Sequence, residues 1–214
     1  MDNYLSETEF LQVNDQATLD FCAGIANSHD KKETALALYY KVRDGFLYDP
    51  FHLDLTPKAL QSSEILKKRK AWCVEKAIVL ATTARYFGIP SRLGYAIVIN
   101  HIGSEKLKFY LKRDEIVFHG YTELFLNNKW VKCTPAFDRR ICAISKVSPL
   151  EWDGETDSLF QEHEGNQKFM EYVHDYGTFA DVPIALMNEE MRKYYPHLSD
   201  NQINSKEFSL IFRE

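Results

Sequence analysis

One cysteine stands where a thiol could act as a nucleophile. Cys73 opens the stretch AWCVEKAIVLATTARYFGIPSRL, whose apolar residues recur with a helical period. At the start of a helix, unpaired N–H groups and the positive end of the helix dipole favour a thiolate and can hold an oxyanion. Lys68, Arg69 and Lys70 add positive charge just upstream. We therefore take Cys73 as a candidate nucleophile, against the commoner alternative that a free cysteine is a small buried hydrophobe.

A candidate base lies further along the chain. Gly88 and Pro90 end the helix, and the period of apolar residues then changes from 3.6 to 2, as in strands. The stretch from Ile116 to Leu126 alternates clearly and contains His119. Asn127-Asn128 follows, a pair that tolerates positive φ at both positions of a two-residue hairpin. The return strand is predicted from Lys129 to Ala136.

The hairpin register makes a chemical prediction. It sets His119 opposite Ala136 and Tyr121 opposite Thr134. Because opposed residues share a face and side chains alternate, one face should carry His119, Tyr121, Glu123, Thr134, Ala136 and Asp138. An imidazole with an acceptor beside it, placed over the start of the cysteine helix, is what a Cys-His nucleophile needs. Spacing alone leaves open a histidine that is only structural.

Other elements must position these residues. The amino-terminal third is predicted to be helical, with one helix from about Asp15 or Ala17 to Ala26 and another from Lys32 to Gly45 capped by Asp30. A further start is expected at Ser62. Strands are predicted over 92–100 and, more weakly, over 107–111.

Composition restricts the class of protein. The chain has 214 residues, 45% of them hydrophobic, enough for a proper core. We expect one domain over residues 1–214, with a core over about 30–140 and an extension over 141–214 that packs on it. The net charge of −5, without blocks of like charge beyond a short basic run, suggests neither nucleic acid nor a membrane surface as a partner.

The amino terminus and the cysteines suggest a cytoplasmic protein. The opening MDNYLSETEF is acidic and polar, unlike a secretory signal, and no apolar run approaches a membrane span. The cysteines, which are Cys22, Cys73, Cys133 and Cys142, lack disulfide or zinc spacing and are expected to be reduced. We expect neither a metal nor a cofactor.

Four motifs in order resemble the transglutaminase-like superfamily, which has a papain-type fold and includes bacterial transglutaminase-like proteins and cysteine proteases. They are WCVEKA at 72–77, ARYFGIPSR at 84–92, HGYTELF at 119–125 and WVKCTP at 130–135. The resemblance covers roughly residues 60 to 138. It implies an α+β fold in which the cysteine helix is buried against an antiparallel sheet.

The resemblance also implies site residues. In that family the cysteine is the nucleophile, the histidine the base, and an aspartate four residues after the hairpin tryptophan orients the histidine. These roles carry over to Cys73, His119 and the position of Thr134, where the chain departs from the pattern. A threonine hydroxyl can accept a hydrogen bond from the imidazole but supplies no negative charge. Asp138 is the alternative orienter if the strand continues past Pro135.

The last third fits the resemblance least. A short helix is predicted within 159–176 and a final helix over 189–195, ended by Pro196. The aromatic residues there are expected to pack on the core.

Two functions remain open. One is an acyl-transfer enzyme that attacks an amide or peptide bond of a peptide or protein through a thioester on Cys73, and ends in hydrolysis or in transfer to an amine. The other is a catalytically weakened descendant that binds a peptide or protein in the old cleft. The sequence does not indicate an oligomeric state.

Overall fold

A computed structural model describes residues 1–51, 53–100, 105–159 and 170–198. Helices and strands are interspersed along the chain. The helices are α1 Gln16–Cys22, α2 Lys31–Gly45, α3 Ser62–Leu66, α4 Cys73–Tyr86, α5 Glu105–Leu111, α6 Arg139–Ser145 and α7 Ile184–Tyr194. The strands are β1 Leu47–Tyr48, β2 Lys70–Ala71, β3 Ser91–Asn100, β4 Glu115–Leu126, β5 Lys129–Cys133 and β6 Met170–Phe179.

Two sheets are formed by these strands. β3 to β6 make an antiparallel sheet in the order β5-β4-β3-β6, and β1 pairs with β2 in parallel. β4 lies inside the large sheet and is buried along most of its length. The predicted α+β fold, with an antiparallel sheet beside the cysteine helix, is confirmed.

Helix α4 is the buried centre of the molecule. Every residue from Cys73 to Arg85 is buried, and the helix packs against β4. The backbones approach closely there, because a Cβ added at Gly120 would lie 2.8 Å from Val74 Cα. The helix ends as predicted, with Gly88 at φ +72°, a conformation that glycine adopts readily.

The hairpin has the predicted turn. Asn127 and Asn128 adopt φ of 48° and 64°, and the pairing runs from Leu126 with Lys129 to Thr122 with Cys133. The predicted continuation is wrong: β5 ends at Cys133, so His119 is not paired with Ala136, nor Tyr121 with Thr134. The reason is a competing partner, since Thr134 N donates to Ser158 O at 3.1 Å, and Pro135 has no N–H to continue the ladder.

The amino-terminal third is helical, as predicted. Asp15 and Asp30 cap α1 and α2 by accepting hydrogen bonds from backbone amides. Helix α1 ends at Cys22 rather than near Ala26. Helices α2 and α3 pack against α4 together with α1.

One predicted element is wrong. Residues 107–111 form part of helix α5 rather than a strand. Leu107 and Leu111 are buried while Phe109 is exposed, which is a helical spacing of four that a short window made look like alternation. Of the stretch 159–176, within which a short helix is predicted, residues 170–176 belong to strand β6. Residues 160–169 lie outside the described residues, so the short helix stays a prediction.

The carboxyl-terminal extension takes part in the central sheet. β6 pairs with β3 from Leu93 with Phe179 to Asn100 with Met170, so a boundary near residue 140 divides strands of one sheet. Helix α7 begins at Ile184, earlier than predicted, and contacts β4. None of the described helices has both the length and the apolar character that crossing a bilayer requires.

Candidate active site

The start of α4 is flanked by two ion pairs with buried carboxylates. Glu75 accepts a hydrogen bond from Trp72 N at 3.2 Å and forms an ion pair with Lys68. Lys70 forms another with Asp49. Two of the three cations expected to favour a thiolate on Cys73 are therefore paired with carboxylates, which weakens their effect on the sulfur.

The Cys73 sulfur lies against the backbone of β4. It donates to Phe118 O at 3.5 Å and accepts a hydrogen bond from Gly120 N–H. These two peptide groups flank His119, so the sulfur contacts the strand on both sides of the candidate base. The hydrogen bond of the thiol is to this carbonyl and not to the imidazole.

Burial decides the protonation of the thiol. Cys73 is 2% exposed, and burial raises its pKa to about 11, although hydrogen bonds from Gly120, Val74 and its own N–H act in the opposite direction. The expectation of a thiolate from the helix terminus alone is thus wrong for this conformation. Desolvation of the charged form outweighs the helix terminus.

His119 is buried to the same extent, at 2% exposed, and burial lowers its pKa to about 4. Tyr121, two residues on, lies across Gly94 and donates to Asp175 at 3.2 Å, while Thr122 faces α4 through a bond to Ala77 O. Alternation places His119 on the Tyr121 face, as predicted. Its Nε2 has no hydrogen-bond partner in the described chain.

Thr134 lies at the end of β5. Its N–H bonds Ser158 O, and its carbonyl accepts from Tyr39 OH at 3.2 Å. Its hydroxyl is buried and has no partner among the described residues. The structure therefore leaves His119 Nε2 and Thr134 Oγ1 both unbonded, and the predicted bond between base and orienter is not formed in this conformation.

Asp138 serves another purpose than the predicted one. It caps α6 by accepting from Arg140 N at 2.9 Å and Ile141 N at 3.1 Å, and its second oxygen accepts from Tyr48 N at 2.6 Å. With three backbone amides on its carboxylate, Asp138 ties β1 to α6 and has no bond to His119. As the alternative orienter it is not supported by these contacts.

Aromatic side chains that sequence reasoning missed lie near the candidate base. Burial raises the pKa of Tyr48 and of Tyr172, and a negative charge on Cys73 would raise both further. The Tyr172 ring lies 6.5 Å from the His119 ring, and Phe137 packs on Tyr48 at 4.6 Å. No spacing in the sequence relates these aromatic residues to Cys73, because they come from separate elements.

Trp72 is a further residue that sequence reasoning passed over. Trp72 directly precedes the candidate nucleophile in the sequence. Its indole N–H is buried and has no acceptor in the described chain. A buried donor without a partner is uncommon outside functional sites, and only its position next to Cys73 could have drawn attention to it. Among the described residues, no group of three or more histidine, cysteine or acidic side chains could hold a metal ion.

Of the comparisons with known proteins, the match to a family model carries the assignment of this chain. The family model of the transglutaminase-like superfamily matches residues 20–135. None of the curated proteins matches the chain. One solved structure that is similar is a putative cysteine protease from Cytophaga hutchinsonii, at 16% identity and a TM-score of 0.44. The match covers 62% of this chain and 40% of that one, so the chain spans less than half of that protein's length.

Proposed function

The chain belongs to the transglutaminase-like superfamily, and on this premise we propose that it is a thiol-dependent acyl-transfer enzyme acting on an amide or peptide bond. Cys73 is the nucleophile and His119 the base. One observation carries the proposal: the Cys73 sulfur, at the first residue of a buried helix, contacts the peptide groups on both sides of His119. The candidate nucleophile thus lies against the backbone of the strand that carries the candidate base.

The reaction follows from these groups. The sulfur attacks the carbonyl carbon while its proton passes to the imidazole of His119. The C–N bond then breaks, the leaving amine takes the proton from the imidazolium, and a thioester remains on Cys73. Water then attacks this thioester and gives a proton to His119, the C–S bond breaks, the proton returns to the sulfur, and a carboxylic acid is released that ionises. If an amine attacks instead, the same bond breaks and a new amide forms. N–H groups at the start of α4 favour the negative oxygen of each intermediate.

The described conformation is a resting state. With a thiol pKa of about 11 and an imidazole pKa of about 4, both groups are neutral at pH 7. Burial is the first cause of each shift, so entry of water or of a polar substrate brings the two values together. Acyl transfer therefore requires movement of the side chains that bury the thiol.

A second function is favoured by one specific observation. In the part of the chain that the structure describes, no charged group acts on the pKa of His119, and Thr134, at the family's aspartate position, leaves its hydroxyl unbonded. A triad without its carboxylate is strongly weakened. A peptide-binding or protein-binding module that retains the old cleft would show the same contacts.

Acyl-enzyme trapping distinguishes the two functions. A panel of peptide amides and peptide p-nitroanilides is incubated with hydroxylamine, and hydroxamate formation and product release are measured. Wild type and Cys22→Ala should both react, because Cys22 is an equally buried thiol remote from His119. Cys73→Ala should give no product, and His119→Gln should react roughly a hundredfold more slowly.

The binding module predicts another pattern. Peptides from the panel would bind equally to wild type and to Cys73→Ala, with no hydroxamate from either. Product formation that persists in Cys73→Ala would contradict the assignment of the nucleophile.

A further inference from the structure

Strand β4 has an edge that β5 covers only in part. β5 pairs with β4 from Leu126 to Thr122 and then turns away at Cys133. The peptide groups of β4 before Thr122 have no strand on this side among the described elements. Backbone N–H and C=O groups on a buried edge must find other partners.

The thiol is the first of these partners. Phe118 O accepts from Cys73 Sγ at 3.5 Å and Gly120 N–H bonds the same sulfur. Cys73 thus occupies the place at the β4 edge that the next residues of β5 would have taken.

A tyrosine hydroxyl is the second partner. Tyr195, directly after α7, is fully buried. Its hydroxyl accepts from Val117 N at 2.9 Å and donates to Glu115 O at 2.8 Å. One side chain from the carboxyl-terminal extension therefore bonds both an N–H and a C=O of β4 just before His119.

A β-bulge lies between the two partners. Ala96 pairs with His119 but Ile97 pairs with Val117, so Phe118 has no partner on β3. At such a bulge the strand bends and its side chains are redirected. The direction in which His119 leaves the strand depends on what holds the residues before the bulge, and Tyr195 holds two of them.

We propose that Tyr195 is a positioning residue for the pair Cys73 and His119. Its hydroxyl fixes β4 immediately before the bulge, which keeps Phe118 O against the sulfur and His119 beside it. This inference rests on the proposed function, and it gives the carboxyl-terminal extension a part in the site. Loss of the hydroxyl leaves Val117 N–H and Glu115 O without a partner, so the strand shifts to recover bonds.

A matched tyrosine provides the control. Tyr40 OH donates to Trp152 O at 3.0 Å and accepts from Trp152 N at 3.3 Å. Tyr195→Phe and Tyr40→Phe both remove a hydroxyl that bonds one carbonyl and one amide, but only the Tyr195 hydroxyl bonds the backbone of β4. Both variants are expected to lose stability, so melting temperature alone does not test the inference.

The test is a double-mutant comparison of Cys73 alkylation. Iodoacetamide labelling of the native protein at pH 7 is followed by peptide mapping, and each Tyr→Phe variant is combined with His119→Gln. In wild type and Tyr40→Phe, His119→Gln slows the alkylation of Cys73. The ratio of the Cys73 alkylation rates without and with His119→Gln measures the contribution of His119. In the Tyr195→Phe background this ratio should be roughly tenfold smaller than in wild type, as expected when a catalytic group is displaced.

The outcomes separate the inference from the function on which it rests. An undiminished His119 factor in Tyr195→Phe, with a clear factor in wild type, would overturn the inference alone. If the single variant His119→Gln alkylates Cys73 as fast as wild type does, the proposed function is overturned and the inference with it. Amide hydrogen exchange at Val117 gives an independent check, since it should accelerate in Tyr195→Phe and not in Tyr40→Phe.

Discussion

The carboxyl end of helix α4 is held by a buried arginine that donates hydrogen bonds to several segments of the chain. Arg85 donates to Ser91 Oγ at 3.2 Å, to Ser91 O at 3.0 Å, and to the carbonyls of Ser6 and Ala180. Ser91 Oγ in turn donates to Ala81 O at 2.8 Å. This end joins the amino terminus, β3 and the segment after β6 into one network.

The amino end of α4 differs. Trp72 Nε1, His119 Nε2 and Thr134 Oγ1 are buried polar atoms at this end or in the strands beside it, and none has a partner in the described chain. An unsatisfied buried group costs about 1 to 3 kcal/mol. Under the proposed function, the carboxyl end serves stability and the amino end serves chemistry, since unsatisfied groups of this kind are usual at functional sites.

The largest effect is expected at the carboxyl end. Arg85→Leu removes the donors from three backbone carbonyls and should lower the free energy of unfolding by about 3 kcal/mol or more. Urea denaturation measures this loss. Lys67→Leu breaks an exposed ion pair with Glu64 and should cost under about 1 kcal/mol. If both variants lose equally little, the network does not have the stabilising role given to it here.

The pH dependence of stability tests the amino end. His119 has a pKa of about 4 when folded and 6.5 as its ordinary value, so between these pH values the unfolded chain binds a proton that the native chain excludes. Stability is then present above pH 6.5 and falls towards pH 4, by about 3 kcal/mol. His119→Gln should flatten this slope, whereas His29→Gln, at an exposed position, should keep it. A slope that survives in His119→Gln must come from other groups.

Two buried hydroxyls sharpen the comparison. Ser91→Ala removes a hydroxyl that both accepts and donates, and should destabilise the fold by about 1 to 2 kcal/mol. Thr134→Val removes one without a partner, and should stabilise the fold by about 1 kcal/mol while it lowers Cys73 reactivity. Thermal melts and alkylation rates give both numbers. A loss of stability in both variants would mean that Thr134 Oγ1 is satisfied in solution.

Thr134→Asp is the reverse change at the same position. A carboxylate there restores the family's charged partner for the imidazole, so Cys73 alkylation should become faster and the protein less stable. Slower alkylation, in a variant that folds, would show that position 134 does not reach His119.

Asp138→Asn should have the smallest effect on the chemistry. Loss of charge at the α6 cap and at Tyr48 N costs about 1 kcal/mol of stability, and the His119-dependent alkylation of Cys73 should remain. A large drop in that reactivity would return Asp138 to the role of orienter.

The parts of the fold that depend on local chain chemistry could be predicted. The end of α4 at Gly88 and the turn at Asn127 and Asn128 follow from positive φ and helical or alternating periods within a few residues. The departure of Thr134 from the sheet could not be predicted, because the Thr134 N–H bonds the distant Ser158 carbonyl instead of β4. The raised pKa of the Cys73 thiol likewise comes from burial, which depends on how distant parts of the chain pack.

The sequence names Cys73 and His119 as candidates from their elements and from the resemblance. The structure brings the thiol to the backbone of the strand that carries His119, and the chemical roles of the two residues stay predictions. The contact of Tyr195 with β4 has no sequence signal, since a tyrosine after a terminal helix is unremarkable until the sheet edge it covers is known. A single sequence does not show which polar groups far apart in the chain form hydrogen bonds with each other.

The most direct test of the account compares two thiols in one protein. Cys22 and Cys73 are both buried, and burial raises the pKa of each to about 11, so ordinary thiol chemistry would give them similar alkylation rates at pH 7. With iodoacetamide and peptide mapping of the native protein, the account predicts that Cys73 reacts at least roughly tenfold faster than Cys22, and that His119→Gln abolishes this difference. Equal rates for the two thiols in wild type, or a Cys73 advantage that His119→Gln leaves intact, would contradict it.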